Sequence, residues 1–93
     1  MVGAAAKAIT VLQASGIKID HVLDEAPLKI GKYVPGTDLR VEALADVGEI
    51  SDRAVFLIGA WNFRPELERK LRSRRTGGDL TATYFPNLTL AEL

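Results

Sequence analysis

The chain has no cysteine, only one histidine and no excess of either charge, and each lack narrows what it can do. Without cysteine there are no disulfides, no thiolate nucleophile and no cysteine-ligated metal. A disulfide-free chain of this kind fits the cytoplasm. The lone histidine, His21, cannot build a metal site with a second His or a Cys, so no metal ligands are assigned and His21 reads as a partly buried structural residue. Twelve basic and twelve acidic side chains cancel. That argues against a dedicated nucleic-acid binder, which carries a basic excess. No apolar run approaches the roughly 20 residues of a membrane span. The opening Met-Val-Gly-Ala lacks the basic region and long apolar core of a signal peptide. Repeats and low-complexity tracts are missing too. No serine or threonine has a matching histidine or sits in a Gly-x-Ser-x-Gly elbow, so no catalytic residue is assigned.

What remains is an ordinary folded composition: 93 residues, 47% hydrophobic and 26% charged. That is enough for one domain, residues 1–93, with a single modest core. The alanine-rich stretch 3–15 predicts a helix with Ala5, Ala8, Ile9 and Leu12 on one face, ended by Gly16 with Ile17 packed back on it. Its small first residues, Gly3, Ala4, Ala5 and Ala6, leave backbone amides uncovered by side chains. Those amides read either as an anion seat within reach of Lys7, or as a plain helix start packed closely on a sheet. Residues 17–23 alternate as a strand does. A short extended piece at 39–41 is followed by a helical turn or two over 42–46. The apolar run 54–60 reads as a strand buried on both faces, which points to a parallel sheet covered by helices. Asn62 suits a helix cap and Pro65 the first turn of a helix that runs to about residue 75. Its late basic residues, 70–75, match the helix dipole, with a phosphate patch as the alternative reading. Residues 79–85 alternate as a last strand ended by Pro86 and Asn87, and 88–93 form a short tail. Helix, strand, loop, strand, helix, strand describes a small three-layer α/β domain of Rossmann type with a mostly parallel sheet.

The longest polar segment is 24–36, Asp-Glu-Ala-Pro-Leu-Lys-Ile-Gly-Lys-Tyr-Val-Pro-Gly. Pro35 and Gly36 suit the central positions of a type II turn, proline presetting φ and glycine accepting the positive φ that follows. Lys29 and Lys32 flank Gly31, so two ammonium groups lie beside a backbone that a ligand can approach closely. Asp24, at a strand end, caps the turn or accepts a ligand hydroxyl. Trp61 offers a stacking face and Asn62 an amide that both donates and accepts. In an open α/β sheet ligands bind beyond the carboxyl ends of the strands, and this loop lies at that end. The segment reads as a ligand cradle or as a solvated connector.

Gly3-Ala-Ala-Ala-Lys7, the 24–36 loop, Trp61-Asn62-Phe63 and the closing Tyr84-Phe85-Pro86, in that order, resemble the C-terminal domain of the sugar C-methyltransferases. These enzymes use S-adenosylmethionine to methylate keto-deoxysugar nucleotides. The resemblance implies a Rossmann-like domain that binds a nucleotide-sugar, such as a thymidine diphosphate sugar, beside an upstream methyltransferase domain. That upstream part would hold the S-adenosylmethionine and the acid–base groups, with no cofactor in this chain. It further implies that Gly3, Ala4, Ala5, Lys7, Asp24, Lys29, Gly31, Lys32, Tyr33, Pro35, Gly36, Trp61 and Asn62 form or support the nucleotide-sugar side of the cleft. Members carry a strand just before the Gly-Ala-x-x-Lys turn. Here Met1 and Val2 alone stand in its place, so the first strand is expected to be largely missing, as in a fragment or a truncated domain. The sheet edges so exposed suggest the alternative of a ligand-free scaffold that pairs with a second copy as a homodimer.

Overall fold

The computed structural model describes residues 1–4, 6–83 and 89–93. Helix α1 spans Ala6–Ser15, and α2 spans Arg64–Arg74. The strands are β1 (Val22–Asp24), β2 (Val41–Ala43), β3 (Val55–Leu57), β4 (Leu80–Thr83) and β5 (Thr89–Glu92). Two 3-10 helices, Leu44–Glu49 and Trp61–Phe63, follow β2 and precede α2. β1 and β2 pair in parallel, as do β3 and β4, while β5 runs antiparallel to β4. The result is a small α/β domain with two sheets, one parallel and one mixed.

Val2 joins the two sheets. It bridges Leu23 on one side and Ile58 on the other, both in parallel. The Val2 amide donates to Leu57 O at 2.8 Å, and Gly59 N donates to Val2 O at 2.7 Å. Toward β1, Leu23 N donates to Met1 O and Gly3 N to Leu23 O, each at 2.8 Å. Residues 1–3 therefore hold the central strand position, reduced to the single bridging residue Val2, in keeping with a first strand expected to be largely missing. The strand order becomes β2, β1, residues 1–3, β3, β4, β5.

Alternation along these strands divides the core into two layers, because successive side chains leave opposite faces. Val2, Leu23, Phe56 and Ile58 pack with Leu44 and Val47 of the first 3-10 helix and with Leu67 and Leu71 of α2. Met1, Val22 and Val41 pack on the other face with Ala4, Ala8 and Val34, and Ile9 of α1 lies against them. Ala5 and the side chain of Leu12, placed on that helix face from the sequence, lie outside the description. Full burial of a side chain such as Ile58 or Leu71 contributes roughly 1.5–3 kcal/mol, and both are completely covered.

Several elements differ from the sequence expectation. The strand foreseen over 17–23 is β1 alone, and Ile17 is exposed rather than packed on the helix end. His21 precedes β1 with an exposed side chain that meets Glu42 at 2.8 Å, so it is a surface residue and not a partly buried one. β3 is shorter than 54–60 and is not covered throughout, since Val55 is 57% exposed. The cap expected from Asn62 is replaced by the 3-10 helix, and Phe63 stands at the helix boundary without a side-chain cap. The tail 88–93 contributes β5, whose outer position makes the second sheet mixed. At the opposite margin, Gly31 N donates to Val41 O and Val41 N to Lys32 O, so the loop covers part of the β2 edge. No helix among the described residues is long and apolar enough to cross a membrane.

Candidate functional site

The carboxyl ends of residues 1–3, β1 and β3 open together. Gly3 ends the central segment with φ +85°, a conformation that L side chains rarely adopt. A Cβ placed there would lie 2.6 Å from the Ala60 Cβ and 2.8 Å from the Ala60 nitrogen. Glycine is thus required twice, for its backbone angle and for the approach of the chain beyond β3.

Asp24 closes β1 and binds this turn to the following loop. Its Oδ2 accepts the Ala4 amide at 2.8 Å, and its Oδ1 accepts the Ala26 amide at 2.9 Å. The Ala4 amide, one of those expected to stand uncovered as an anion seat, is therefore already held by a carboxylate. The turn after Ala26, with Lys29 N and Ile30 N both donating to Ala26 O, folds Lys29 back over the helix start. Its Nζ donates to Ala4 O at 3.2 Å and lies 3.8 Å from Asp24 Oδ2. Burial works to raise the Asp24 carboxyl, but the Ala26 and Ala4 amides and the Lys29 charge outweigh it and hold Asp24 below the usual carboxylate range.

These groups line a cleft of about 410 Å³, together with Ala60, Phe63 and Glu66. Glu25, Ala26 and Leu67 complete its walls. Glu25 is tied across the loop to Lys70 of α2 by an ion pair. Acceptors, one ammonium and an exposed aromatic face thus surround a space open to solvent. A larger hollow of about 810 Å³ lies at the amino ends of β1 and β3, and none of the expected site residues lines it.

The sequence matches the profile of the C-methyltransferase C-terminal domain over residues 1–86. The chain belongs to that family. No curated protein and no solved structure matches it.

In this C-methyltransferase domain, four of the expected site residues meet in the cleft: Gly3, Ala4, Asp24 and Lys29. The others are arranged outside its lining. Gly31 and Lys32 are exposed where the loop runs along β2. Tyr33 pairs with Arg40 in an antiparallel bridge, and the Arg40 guanidinium stands 5.0 Å from its ring centre. Pro35 and Gly36 form the foreseen turn: Thr37 N donates to Val34 O at 3.1 Å, with Gly36 at φ +77°. Gln13 of α1 fastens that turn by donating to Pro35 O at 2.6 Å. Asn62 is exposed, and Trp61 begins the 3-10 helix beyond β3. Ala5 and the side chains of Lys7 and Trp61 lie outside the described residues.

Sequence reasoning passed over Phe63 and Glu66 as site residues. Phe63 follows Trp61 and Asn62 directly, which was the available signal. Glu66 reads from sequence as an acidic residue answering the helix dipole, and nothing local shows that it faces a cleft.

Proposed function

We propose that this chain is the nucleotide-sugar-binding domain of an S-adenosylmethionine-dependent sugar C-methyltransferase of deoxysugar biosynthesis. The observation that carries the reading is the cleft at Gly3, Ala4, Asp24 and Lys29. It lies at the carboxyl ends of neighbouring parallel strands, where open α/β sheets take their ligands. The order β2, β1, residues 1–3, β3, β4 supports a Rossmann-like domain, since the central strand is flanked by both halves of the sheet. The acidic residue at the end of the strand beside the centre, Asp24, stands where such folds recognise hydroxyls. In this reading residues 1–93 are one domain of a cytoplasmic enzyme. The methyl donor and the acid–base groups belong to an upstream methyltransferase domain.

The test is a titration of the ¹⁵N-labelled chain with thymidine diphosphate glucose, read by amide shifts and repeated on Lys29→Ala. Shifts are expected at Gly3, Ala4 and Lys29. The variant should bind about tenfold more weakly, the effect of losing one hydrogen bond from a charged donor. Unshifted amides throughout the chain would overturn the reading.

A further inference from the structure

The charges of the cleft discriminate between the parts of a nucleotide-sugar. Three carboxylates, Asp24, Glu25 and Glu66, line it against one ammonium, Lys29. Asp24 is taken up by two amides and by Lys29, and Glu25 by Lys70. Glu66, in the first turn of α2, is exposed and has no partner among the described side chains. The described side chains therefore leave the cleft with one uncompensated negative charge. The Ala4 amide at the cleft is already closed by Asp24, and Lys29 already donates one hydrogen bond to Ala4 O. A diphosphate entering here would displace Asp24 from that amide and face Glu66, and like charges at close range repel.

An uncharged ring bearing hydroxyls meets the opposite situation. Carboxylate oxygens accept O–H groups, and Lys29 keeps protons to donate. Phe63, 59% exposed at the rim, offers an apolar face to ring C–H groups. The volume of about 410 Å³ is near the lower end for ligand pockets and suits one ring better than a whole nucleotide-sugar. We infer that this cleft takes an uncharged, hydroxylated sugar ring and leaves the diphosphate outside it. The inference rests on the nucleotide-sugar reading above. The ring is either the pentose of the nucleoside or the hexose attached to the diphosphate.

Amide shifts of the same chain with inorganic pyrophosphate, thymidine and thymidine diphosphate glucose decide it. Thymidine diphosphate glucose should shift Gly3, Ala4, Lys29 and Glu66, and pyrophosphate at equal concentration should leave all four in place. If thymidine alone shifts them the ring is the pentose, and if it does not the ring is the hexose. Glu66→Gln should weaken binding of the sugar nucleotide several-fold, whereas Glu66→Lys should admit pyrophosphate and bring its shifts into the cleft. Pyrophosphate shifting the four amides of the unaltered chain would overturn the inference and leave the nucleotide-sugar reading standing. So would thymidine diphosphate glucose shifting only amides elsewhere. Silence toward every probe would overturn both.

Discussion

Arg75 connects more of the molecule than any other described side chain. Just past α2, it meets Asp79 in a bidentate pair, Nε to Oδ2 at 2.9 Å and Nη2 to Oδ1 at 3.0 Å. Its remaining protons go to the carbonyls of Val47, Ile50 and Asp52, at 3.1, 2.6 and 2.7 Å. Asp79 in turn accepts the Ala54 amide at 2.8 Å, so the connector after the first 3-10 helix and the lead-ins of β3 and β4 share one buried ion pair. Its members are only 8% and 1% exposed at the side chain. Truncating one partner leaves a buried charge unpaired, and Arg75→Ala should therefore lower stability by about 3–5 kcal/mol in urea denaturation at pH 7. The Arg75 hydrogen bond holds the Asp79 carboxyl below the usual carboxylate range, against the opposing effect of burial. A carboxylate depressed in the fold contributes stability that is complete above its unfolded value of about 3.9 and is lost as pH falls through the folded value. The unaltered chain should lose stability on acidification below about pH 4, and Arg75→Ala should show a flatter acid limb. An acid limb of unchanged slope in the variant would remove Asp79 as its source.

At the scale of elements, the central segment and the chain after β3 approach so closely that side chains are excluded from both. A Cβ on Gly59 would lie 2.2 Å from Gly3 O and 3.0 Å from the Ala8 Cβ. The nearer obstacle is backbone, which moves only with its whole segment. Gly59→Ala is expected to cost about 1–3 kcal/mol, the usual effect of overfilling a packed site, and to displace the amides of Gly3 and Ala4 that border the cleft. A thermal melt together with an amide spectrum checks both; an unshifted Gly3 amide would show that the two segments separate freely. Features of this kind divide sharply by whether they are local. The Pro35-Gly36 turn was legible because its residues carry their own φ preferences. On α1, the inward placement of Ala8 and Ile9 followed from helical period. β1, by contrast, is covered on both faces, Val22 in one layer and Leu23 in the other, which alternation over 17–23 did not show. The pairing of Val2 with Leu23 and Ile58 was not legible, because a one-residue bridge has no pattern of its own. β5 read as a tail for a related reason: Thr-Leu-Ala-Glu becomes a strand only through its register with β4. In the site, Gly3, Asp24 and Lys29 were legible as residue types at a strand end. Their hydrogen bonds through Ala4 were not, since these span 20 and 25 residues of sequence. Arg75 and Asp79 sit four apart across a helix end, so helical spacing gave no sign of their pair.

The whole molecule turns on how firmly its two sheets are joined. Only residues 1–3 lie between β1 and β3, yet they supply four backbone hydrogen bonds of 2.7–2.8 Å, two toward each sheet. The core beneath is continuous as well: Val2 and Leu23 from one side pack with Phe56, Ile58, Leu67 and Leu71 from the other. The Cα radius of gyration, 12.2 Å, matches the roughly 12 Å of a single collapsed unit of this length. Shared burial of that kind opposes independent opening, because parting the sheets would expose Val2 and Ile58, which are fully covered. Native-state hydrogen exchange reads the consequence directly. The amides of Leu23, which donates to Met1 O, and of Ile58, which donates to Ala82 O, should open with the same free energy, that of global unfolding. Val2→Ala should lower both by the same amount, although each reports on a different sheet. If Leu23 opens at lower free energy than Ile58, the β1–β2 pair is a separate unit. The cleft formed across the junction would then assemble only when the two sheets dock, and ligand binding would protect Leu23 more than Ile58. Equal opening means that the cleft is preformed, so a ligand at Asp24 and Lys29 stabilises both sheets alike.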